Sequence, residues 1–179
     1  EMSASLVGSE MCIRDSTLTA LDNFEFGTLI GNGAFASVYK AKNLATGRIV
    51  AIKQIRLEQD QNVGVLMGEI GLLKILKHAN IVKYHGFVKT STTLNVILEY
   101  CGGGSLRQLY KKRKSGLPEV EIVKYVKEIL AGLNYLHEQG VVHRDVKAAN
   151  VLLTDNGEVK LADFGVASKV NSQHYTVVG

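Results

Sequence analysis

Residues 142–150 read VHRDVKAAN, and the chain continues with VLL at 151–153, a polar turn and VKLADFG at 159–165. These segments place the carboxylates of Asp145 and Asp163 on loops beside short strands, with an amine and an amide between them. A positioned carboxylate can orient or deprotonate an alcohol, and ionised aspartate is a residue type that binds Mg²⁺. The stretch therefore predicts chemistry on a hydroxyl nucleophile and a metal-bound polyphosphate.

Two upstream segments add groups that suit phosphate binding. Residues 31–41 read GNGAFASVYKA after an alternating strand pattern at 24–30, and two β segments around such a turn can direct backbone N–H groups at an anion. Lys53 lies within the strand pattern at 49–55, where a charged side chain is unusual because one strand face is normally buried. Each segment alone also fits an ordinary hairpin or an outward-facing lysine.

The next pattern supplies a carboxylate for that lysine. Apolar residues recur at helical spacing over 63–77. Glu69 lies on this apolar face, where a carboxylate is expected only if it is paired. The alternative is a glutamate that faces solvent.

Two further helices are predicted in the second half of the chain. Ser105 is a candidate N-cap for a helix through Lys112. A long helix follows from about 119 to 137, and Gly140 ends it. The predicted apolar stripe of the long helix consists of Val123, Val126, Ile129, Leu130, Leu133 and Leu136.

The composition is that of an ordinary globular domain, with 179 residues, 46% hydrophobic and 21% charged residues, and a formal net charge of +4. This mild excess of positive charge fits a polyanionic ligand. No basic stripe is interleaved with aromatic residues, so we expect no nucleic-acid partner. The two cysteines, Cys12 and Cys101, show no disulfide or zinc spacing and fit a reducing compartment. No apolar run is long enough to predict a membrane span.

The order and spacing of these segments resemble the eukaryotic-type protein kinases. H-R-D-x-K-x-x-N followed by D-F-G resembles their catalytic and metal loops, residues 31–38 resemble G-x-G-x-x-G-x-V, and residues 50–53 read V-A-I-K. The chain departs from the glycine-rich pattern at Ala36, in the place of the third glycine, but alanine is small enough to keep the strand pairing. The resemblance implies an α+β, two-lobe fold, with a complete β-rich N-lobe and hinge over 21–101 and an incomplete helical C-lobe over 102–179.

The resemblance also implies a role for each polar residue of the central stretch. Asp145 would orient the attacking hydroxyl, and Lys147 would stabilise the γ-phosphate during transfer. Asn150 and Asp163 would bind Mg²⁺.

ATP is the implied nucleotide. Lys53 would hold its α- and β-phosphates and pair with Glu69. Residues 99–101, here called the hinge, would bind adenine through the backbone groups of Glu99 and Cys101, and Leu98 would limit the size of the back pocket. The residues implied to contact ATP are Ile30, Gly31, Asn32, Gly33, Val38, Ala51, Lys53, Glu99, Cys101 and Leu152.

Residues 166–179 resemble the start of an activation segment. Thr176 is the candidate activating phosphosite, with Ser172 second, and Arg144 is placed to pair with a phosphate there. The resemblance implies about two-thirds of a kinase domain, so we expect exposed apolar surface on the long helix, low stability and little activity from this piece alone. Residues 1–20 have no clear hydrophobic period, and residues 6–16 resemble a translated sequencing adapter, which predicts a disordered or non-native leader over 1–20.

Several stretches look most like the sterile-type group of these kinases. They are NIVKY at 80–84, EYCGGGSL at 99–106, LHEQGVVHRD at 136–145 and KLADFGVA at 160–167. Within that group they are most similar to the MAP kinase kinase kinase epsilon and fungal septation kinases. The resemblance implies a cytoplasmic Ser/Thr kinase of a cell-division or MAP kinase cascade, acting on a protein substrate for which a downstream kinase is one candidate.

Three other interpretations stay open at this point. A pseudokinase would keep the fold as a scaffold; loss of Lys53, Asp145 or Asp163 would favour it, and all three are present. Small-molecule kinases share the lobes but usually lack H-R-D-x-K-x-x-N in this form. A non-enzymatic interaction module leaves the matched polar residues unexplained.

Overall fold

The computed structural model describes residues 21–33, 36–57, 63–113, 115–163 and 168–169. The predicted leader at 1–20 lies outside these residues, as do Phe164 of the metal loop and the phosphosite candidates Thr176 and Ser172.

The N-terminal half is a five-stranded antiparallel sheet with the strand order β1-β2-β3-β5-β4. A short 3₁₀ turn at Leu21–Asn23 precedes it. The strands are β1 (Phe24–Asn32), β2 (Ala36–Asn43), β3 (Ile49–Arg56), β4 (Tyr84–Lys89) and β5 (Thr93–Glu99). The glycine-rich turn joins β1 to β2, and the predicted lysine strand is β3.

Strand β3 lies at the centre of this sheet, between β2 and β5. The consecutive residues Ala51 and Ile52 are both buried, so apolar packing on both faces stabilises the strand. Lys53 comes next and pairs with Val38 on β2 and Val96 on β5. The neighbouring strands therefore fix the backbone of the lysine from both sides.

Helix α1 (Val63–Ile75) packs on the sheet against β4. Its buried Ile70 belongs to a cluster with Ile55, Leu94 and Val96 from the sheet. The helix predicted over 63–77 is confirmed, with its end at Ile75.

The C-terminal half combines two helices with short strand pairs. Its elements are β6 (Gly104–Ser105), α2 (Leu106–Lys112), α3 (Glu119–Glu138), β7 (Val141–Val142), β8 (Val151–Leu153), β9 (Val159–Leu161) and β10 (Ser168–Lys169). One small sheet has the order β6-β8-β9, and β10 pairs with β7. The predicted α+β, two-lobe architecture is confirmed. In the described parts of the chain, no helix is long and apolar enough to cross a bilayer.

Helix α2 begins as the sequence predicts. Ser105 Oγ accepts a hydrogen bond from the Gln108 backbone N–H at 3.2 Å, and Gln108 Oε1 accepts one from the Ser105 N–H at 2.8 Å. This reciprocal capping box satisfies two N–H groups that the helix itself cannot bond.

The predicted stripe of α3 is partly wrong. Gly132 sets the inner face, since a Cβ there would lie 2.9 Å from Leu161 Cδ1 and 3.1 Å from the Asn80 carbonyl oxygen. This close approach centres the buried face on Tyr125, Gly132 and Leu136. Ile129 and Leu133 are half-buried beside it. The other members of the stripe are exposed, namely Val123 (45%), Val126 (46%) and Leu130 (57%). The expected exposed apolar surface on the long helix is thus confirmed.

The segment between α1 and β4 joins the two halves. Ile81 forms a parallel bridge with Leu161 on β9, and the Val82 N–H donates to the Leu161 carbonyl at 2.9 Å. The Leu161 N–H donates in turn to the Asn80 carbonyl at 2.8 Å, and Asn80 Nδ2 donates to the Val159 carbonyl at 3.0 Å. These bonds fix the loop after α1 on the strand that leads to Asp163.

Two glycine-to-alanine substitutions test this packing with opposite expected signs. An added Cβ at Gly71 in α1 meets no atom within 4 Å, so Gly71→Ala should raise the free energy of unfolding by about 0.5–1 kcal/mol through helix propensity. At Gly103 the Cβ would lie 2.8 Å from both Leu153 Cβ and the Thr154 carbonyl oxygen, so Gly103→Ala should lower it by about 1–3 kcal/mol. Denaturant unfolding measures both changes in the free energy of unfolding. A stabilising effect of Gly103→Ala would contradict the close packing of Gly103 against Leu153 and Thr154.

Candidate active site

An ion pair joins the two halves at the candidate site. Lys53 Nζ on β3 lies 2.8 Å from Oδ1 of Asp163, which follows β9, although the two residues are 110 positions apart. Their side chains are 26% and 48% exposed, so a ligand can reach the pair from solvent. Asp163 has a φ of +63°, a left-handed conformation that is uncommon for a non-glycine residue and is found at functional sites.

The buried side chain of His143 holds the loop that carries Asp145. Its ring is buried, and Nε2 lies 3.0 Å from the Ala162 carbonyl oxygen, while Nδ1 accepts the Asp145 N–H at 3.3 Å. Because a carbonyl only accepts and an N–H only donates, these contacts place the ring hydrogen on Nε2. Arg144, between them, has a φ of +64°. The histidine therefore ties the loop of Asp145 to the residue before Asp163.

Asp145 is the centre of a polar cluster on this loop. Its Oδ2 accepts hydrogen bonds from Lys147 Nζ at 2.7 Å and from Asn150 Nδ2 at 2.8 Å. The bond from Lys147 is the main cause that holds the pKa of Asp145 below its usual value. Desolvation opposes it, and the bond from Asn150 lowers the pKa further. Asp145 is therefore ionised at neutral pH and presents an acceptor to a hydroxyl.

Asn150 connects this cluster to the ion pair. It is buried, its N–H donates to the Lys147 carbonyl at 2.8 Å, and its carbonyl accepts the Ala162 N–H at 2.9 Å. Its Nδ2 also donates to the Asp145 carbonyl oxygen at 3.0 Å. The structure thus brings together Asp145, Lys147 and Asn150 on one side and Lys53 and Asp163 on the other, with backbone bonds between them.

Asn150 and Asp163 are the residues that could hold a divalent cation. Carboxylate and amide oxygens are hard donors of the kind that Mg²⁺ prefers. Nδ2 of Asn150 donates a hydrogen bond to Asp145. The Oδ1 atom of Asn150 is therefore the amide atom available to bind a metal. Among the described residues, no three His, Cys, Asp or Glu side chains cluster for a metal. The donors present therefore fit a Mg²⁺ that takes only a few ligands from protein and others from phosphate and water.

Several residues implied to contact ATP lie around Lys53. Val38 pairs with Gly31 across β1 and β2 and with Lys53 across β2 and β3. Ala51 is buried and lies opposite Leu98. The remaining members at the end of β1, or just after it, are Ile30, Asn32 and Gly33.

The hinge carries an ion pair that sequence reasoning missed. Glu99 Oε1 lies 3.2 Å from Lys160 Nζ on β9, and Glu99 Oε2 accepts the Lys83 backbone N–H at 3.1 Å. The resemblance assigned Glu99 only a backbone role. No local pattern could identify Lys160, because the two partners lie far apart in the chain.

Cys101 and Leu152 complete the predicted adenine contacts. Cys101 is buried, and burial raises the pKa of its thiol to about 12. The thiol is therefore protonated at neutral pH, as is usual for a buried structural cysteine. Leu152 is half-buried on β8, opposite Ser105 on β6.

Two predicted features lie outside the described residues. The backbone of Glu69 belongs to α1, but its side chain is not among the described atoms, so its pairing with Lys53 stays a prediction. Thr176 also stays a prediction, together with the phosphate partner assigned to Arg144.

The sequence is similar to those of several known proteins. The family model described as "Protein kinase domain" matches residues 24–179. The chain is similar to "Cytokinesis protein sepH" of Aspergillus niger, with 52% identity over 162 residues that cover 89% of this chain and 12% of that protein. It is also similar to "MAP3K epsilon protein kinase 1" of Arabidopsis thaliana, with 51% identity over 166 residues that cover 89% of this chain and 12% of that protein.

A third relative is an animal protein. "Mitogen-activated protein kinase kinase kinase kinase 3" of Rattus norvegicus is 46% identical over 151 residues, which cover 84% of this chain and 17% of that protein. The chain thus spans about 12% of the length of the Aspergillus niger and Arabidopsis thaliana proteins.

Substitution of Lys147 tests the electrostatics of the site. Lys147→Gln removes the main cause that lowers the pKa of Asp145, so that pKa should rise, which ¹³C-detected NMR titration of the carboxyl group measures. Lys111→Gln, which makes the same charge change on the exposed side of α2, should leave it unaltered. A pKa that stays constant in Lys147→Gln would show that the hydrogen bond is not formed in solution.

Proposed function

The chain belongs to the protein kinase domain family, and on that premise we propose that the protein transfers the γ-phosphate of ATP to serine and threonine hydroxyls of protein substrates. One observation carries the proposal. The Lys53–Asp163 ion pair is joined, through backbone hydrogen bonds, to the cluster formed by Asp145, Lys147 and Asn150. A cation, two carboxylates and an amide are the groups that phosphoryl transfer requires for positioning and charge neutralisation.

Asp145 receives the substrate hydroxyl in this proposal. Its lowered pKa makes it a weak base but a permanently charged acceptor at neutral pH. This suits a loose transition state, in which the hydroxyl needs orientation more than early deprotonation. Lys147, hydrogen-bonded to the same carboxylate, is close enough along the loop to donate to the transferring phosphoryl group.

Lys53, Asp163 and Asn150 hold the nucleotide side. Lys53 binds the α- and β-phosphates from the central strand, and the carboxylate of Asp163 and Oδ1 of Asn150 bind Mg²⁺. When bound, Mg²⁺ neutralises charge that develops on the phosphate oxygens. Adenine lies against Ala51 and Leu152 and bonds to the backbone at Glu99 and Cys101.

The substrate class and pathway rest on similarity. Lysine at 147 resembles the Ser/Thr kinases, and the relatives carry names from cytokinesis and from MAP kinase cascades. We assign the protein to such a cascade in the cytoplasm, with a downstream protein kinase as its substrate.

A transfer assay tests this function. The full-length protein should transfer labelled γ-phosphate from ATP to a generic protein substrate in the presence of Mg²⁺, and the label should appear on serine or threonine. Asp163→Asn should reduce the rate by roughly 100-fold or more, because it removes the charge that holds the metal. Asp22→Asn makes the same change at an exposed residue of the 3₁₀ turn and should leave the rate unaltered.

Two outcomes would contradict the proposal. Equal transfer by Asp163→Asn would show that the activity does not arise at this site. ATP binding without transfer in the unsubstituted, phosphorylated protein would favour the pseudokinase scaffold.

Thr176 is proposed as the activating phosphosite. Phosphate there would pair with Arg144, which precedes the catalytic aspartate and is exposed. Thr176→Ala should therefore lower kcat of the full-length kinase, whereas Thr92→Ala, at an exposed turn between β4 and β5, should not. Full activity of Thr176→Ala would exclude this phosphosite without affecting the proposed transfer reaction.

A further inference from the structure

A second pocket, of about 320 Å³, lies beside the hinge. It is lined by the residues that follow α1, by the entry to β4, by Glu99 of the hinge and by Lys160 of β9. Apart from Glu99, none of the residues assigned to ATP lines it. Its size is at the lower end of the range for specific ligand pockets, so it is large enough for one or two side chains of a partner.

The charges around this pocket are unbalanced. Lys77, Lys83 and Lys160 line it together with a single carboxylate, Glu99. Lys160 is already paired with Glu99 at 3.2 Å and is only 13% exposed. Lys77 and Lys83 are exposed, and neither forms an ion pair with any residue that the structure describes. Two cations are thus available to a ligand with negative charge.

The charge of Lys83 also acts on a nearby histidine. His85 lies two residues after Lys83, and its pKa is lowered mainly by burial and further by the charges of Arg48 and Lys83, with Glu99 opposing them.

The floor of the pocket is apolar. Leu76 and Ile81 line it and are themselves 3% and 1% exposed, and Ala79 lies between them in the chain. Since Leu76 and Ile81 are already buried, Ala79 is the apolar lining residue that a ligand can reach. A ligand that combines a carboxylate with a small aliphatic group would place the aliphatic group on Ala79 and the carboxylate at the lysines.

The pocket is also built on fixed elements. The Lys77 backbone N–H donates to Tyr135 Oη on α3 at 2.8 Å, and the His78 ring stacks on the Tyr135 ring with centroids 4.9 Å apart. Asn80, on the same segment, bonds to β9 through its side chain and its carbonyl. A ligand would therefore find a preformed site and would lose little free energy in ordering the segment.

We propose that this pocket docks an acidic segment of a partner protein. The segment would present a glutamate or aspartate to Lys77 and Lys83 and an adjacent aliphatic side chain to Ala79. This is a recruitment site separate from phosphoryl transfer, since its exposed lysines lie outside the ATP and substrate groups assigned above.

Peptide binding to the full-length protein tests the proposal. The probe is a fluorescein-labelled peptide of sequence Gly-Glu-Leu-Glu-Leu-Gly, measured by fluorescence anisotropy beside its counterpart with glutamine in place of glutamate. The double variant Lys77→Gln/Lys83→Gln should bind the acidic peptide at least tenfold more weakly. The matched variant Lys111→Gln/Lys112→Gln, with the same charge change on exposed residues of α2, should bind within twofold of the unsubstituted protein, and the glutamine peptide should not bind.

Four results would overturn the proposal. The first is failure of the unsubstituted protein to bind the acidic peptide. The second is an equal loss of affinity in the two double variants, which would indicate nonspecific attraction to surface lysines. The third is equal affinity for the glutamine peptide, and the fourth is full displacement by equimolar inorganic phosphate, which would identify a simple anion site. Thermal unfolding of both variants, expected to match the unsubstituted protein, confirms that a loss of binding is not a loss of fold.

Discussion

The contact between Lys53 and Asp163 is the constraint on which the candidate site depends. The lysine comes from the central strand of the N-terminal sheet, and the aspartate follows β9 in the other half, yet Nζ and Oδ1 lie 2.8 Å apart. Both side chains are partly exposed, so the pair contributes little to stability. Its importance is geometric, because it sets the distance between the strand proposed to bind phosphate and the loop proposed to bind metal. The packing of β3, the buried ring of His143 and the backbone bonds of Asn150 all act to hold these two ends.

Much of this arrangement could be predicted from the sequence, because the motifs lie within short segments whose local geometry is fixed. The strand of Lys53, the cap at Ser105 and the cluster around Asp145 follow from neighbouring residues alone. Long-range relations could not be predicted from local patterns, and the pairing of Glu99 with Lys160 is an example. The error in α3 has a related cause. Its apolar residues cover more than one face, and the close approach at Gly132, which no apolar pattern marks, decides which face is buried.

The segment from α1 to β4 connects these features. Asn80 bonds to β9, which leads directly to Asp163, and the stacking of His78 on Tyr135 fixes the same segment on α3. The residues that hold the two halves together therefore also shape the basic pocket beside the hinge. A partner bound there would contact elements of both halves. The fold thus separates the proposed chemistry, at Lys53 and Asp163, from the proposed recruitment surface.

A double-mutant cycle on the affinity for MgATP tests the central claim most directly. The full-length protein, Lys53→Met, Asp163→Asn and the double variant would be compared by calorimetric titration. If the two residues form one phosphate and metal centre, each single substitution should weaken MgATP binding, and the double variant should bind only slightly more weakly than the weaker single variant, because groups that act together are not additive. Losses that add independently, or single variants with unaltered affinity, would contradict the account.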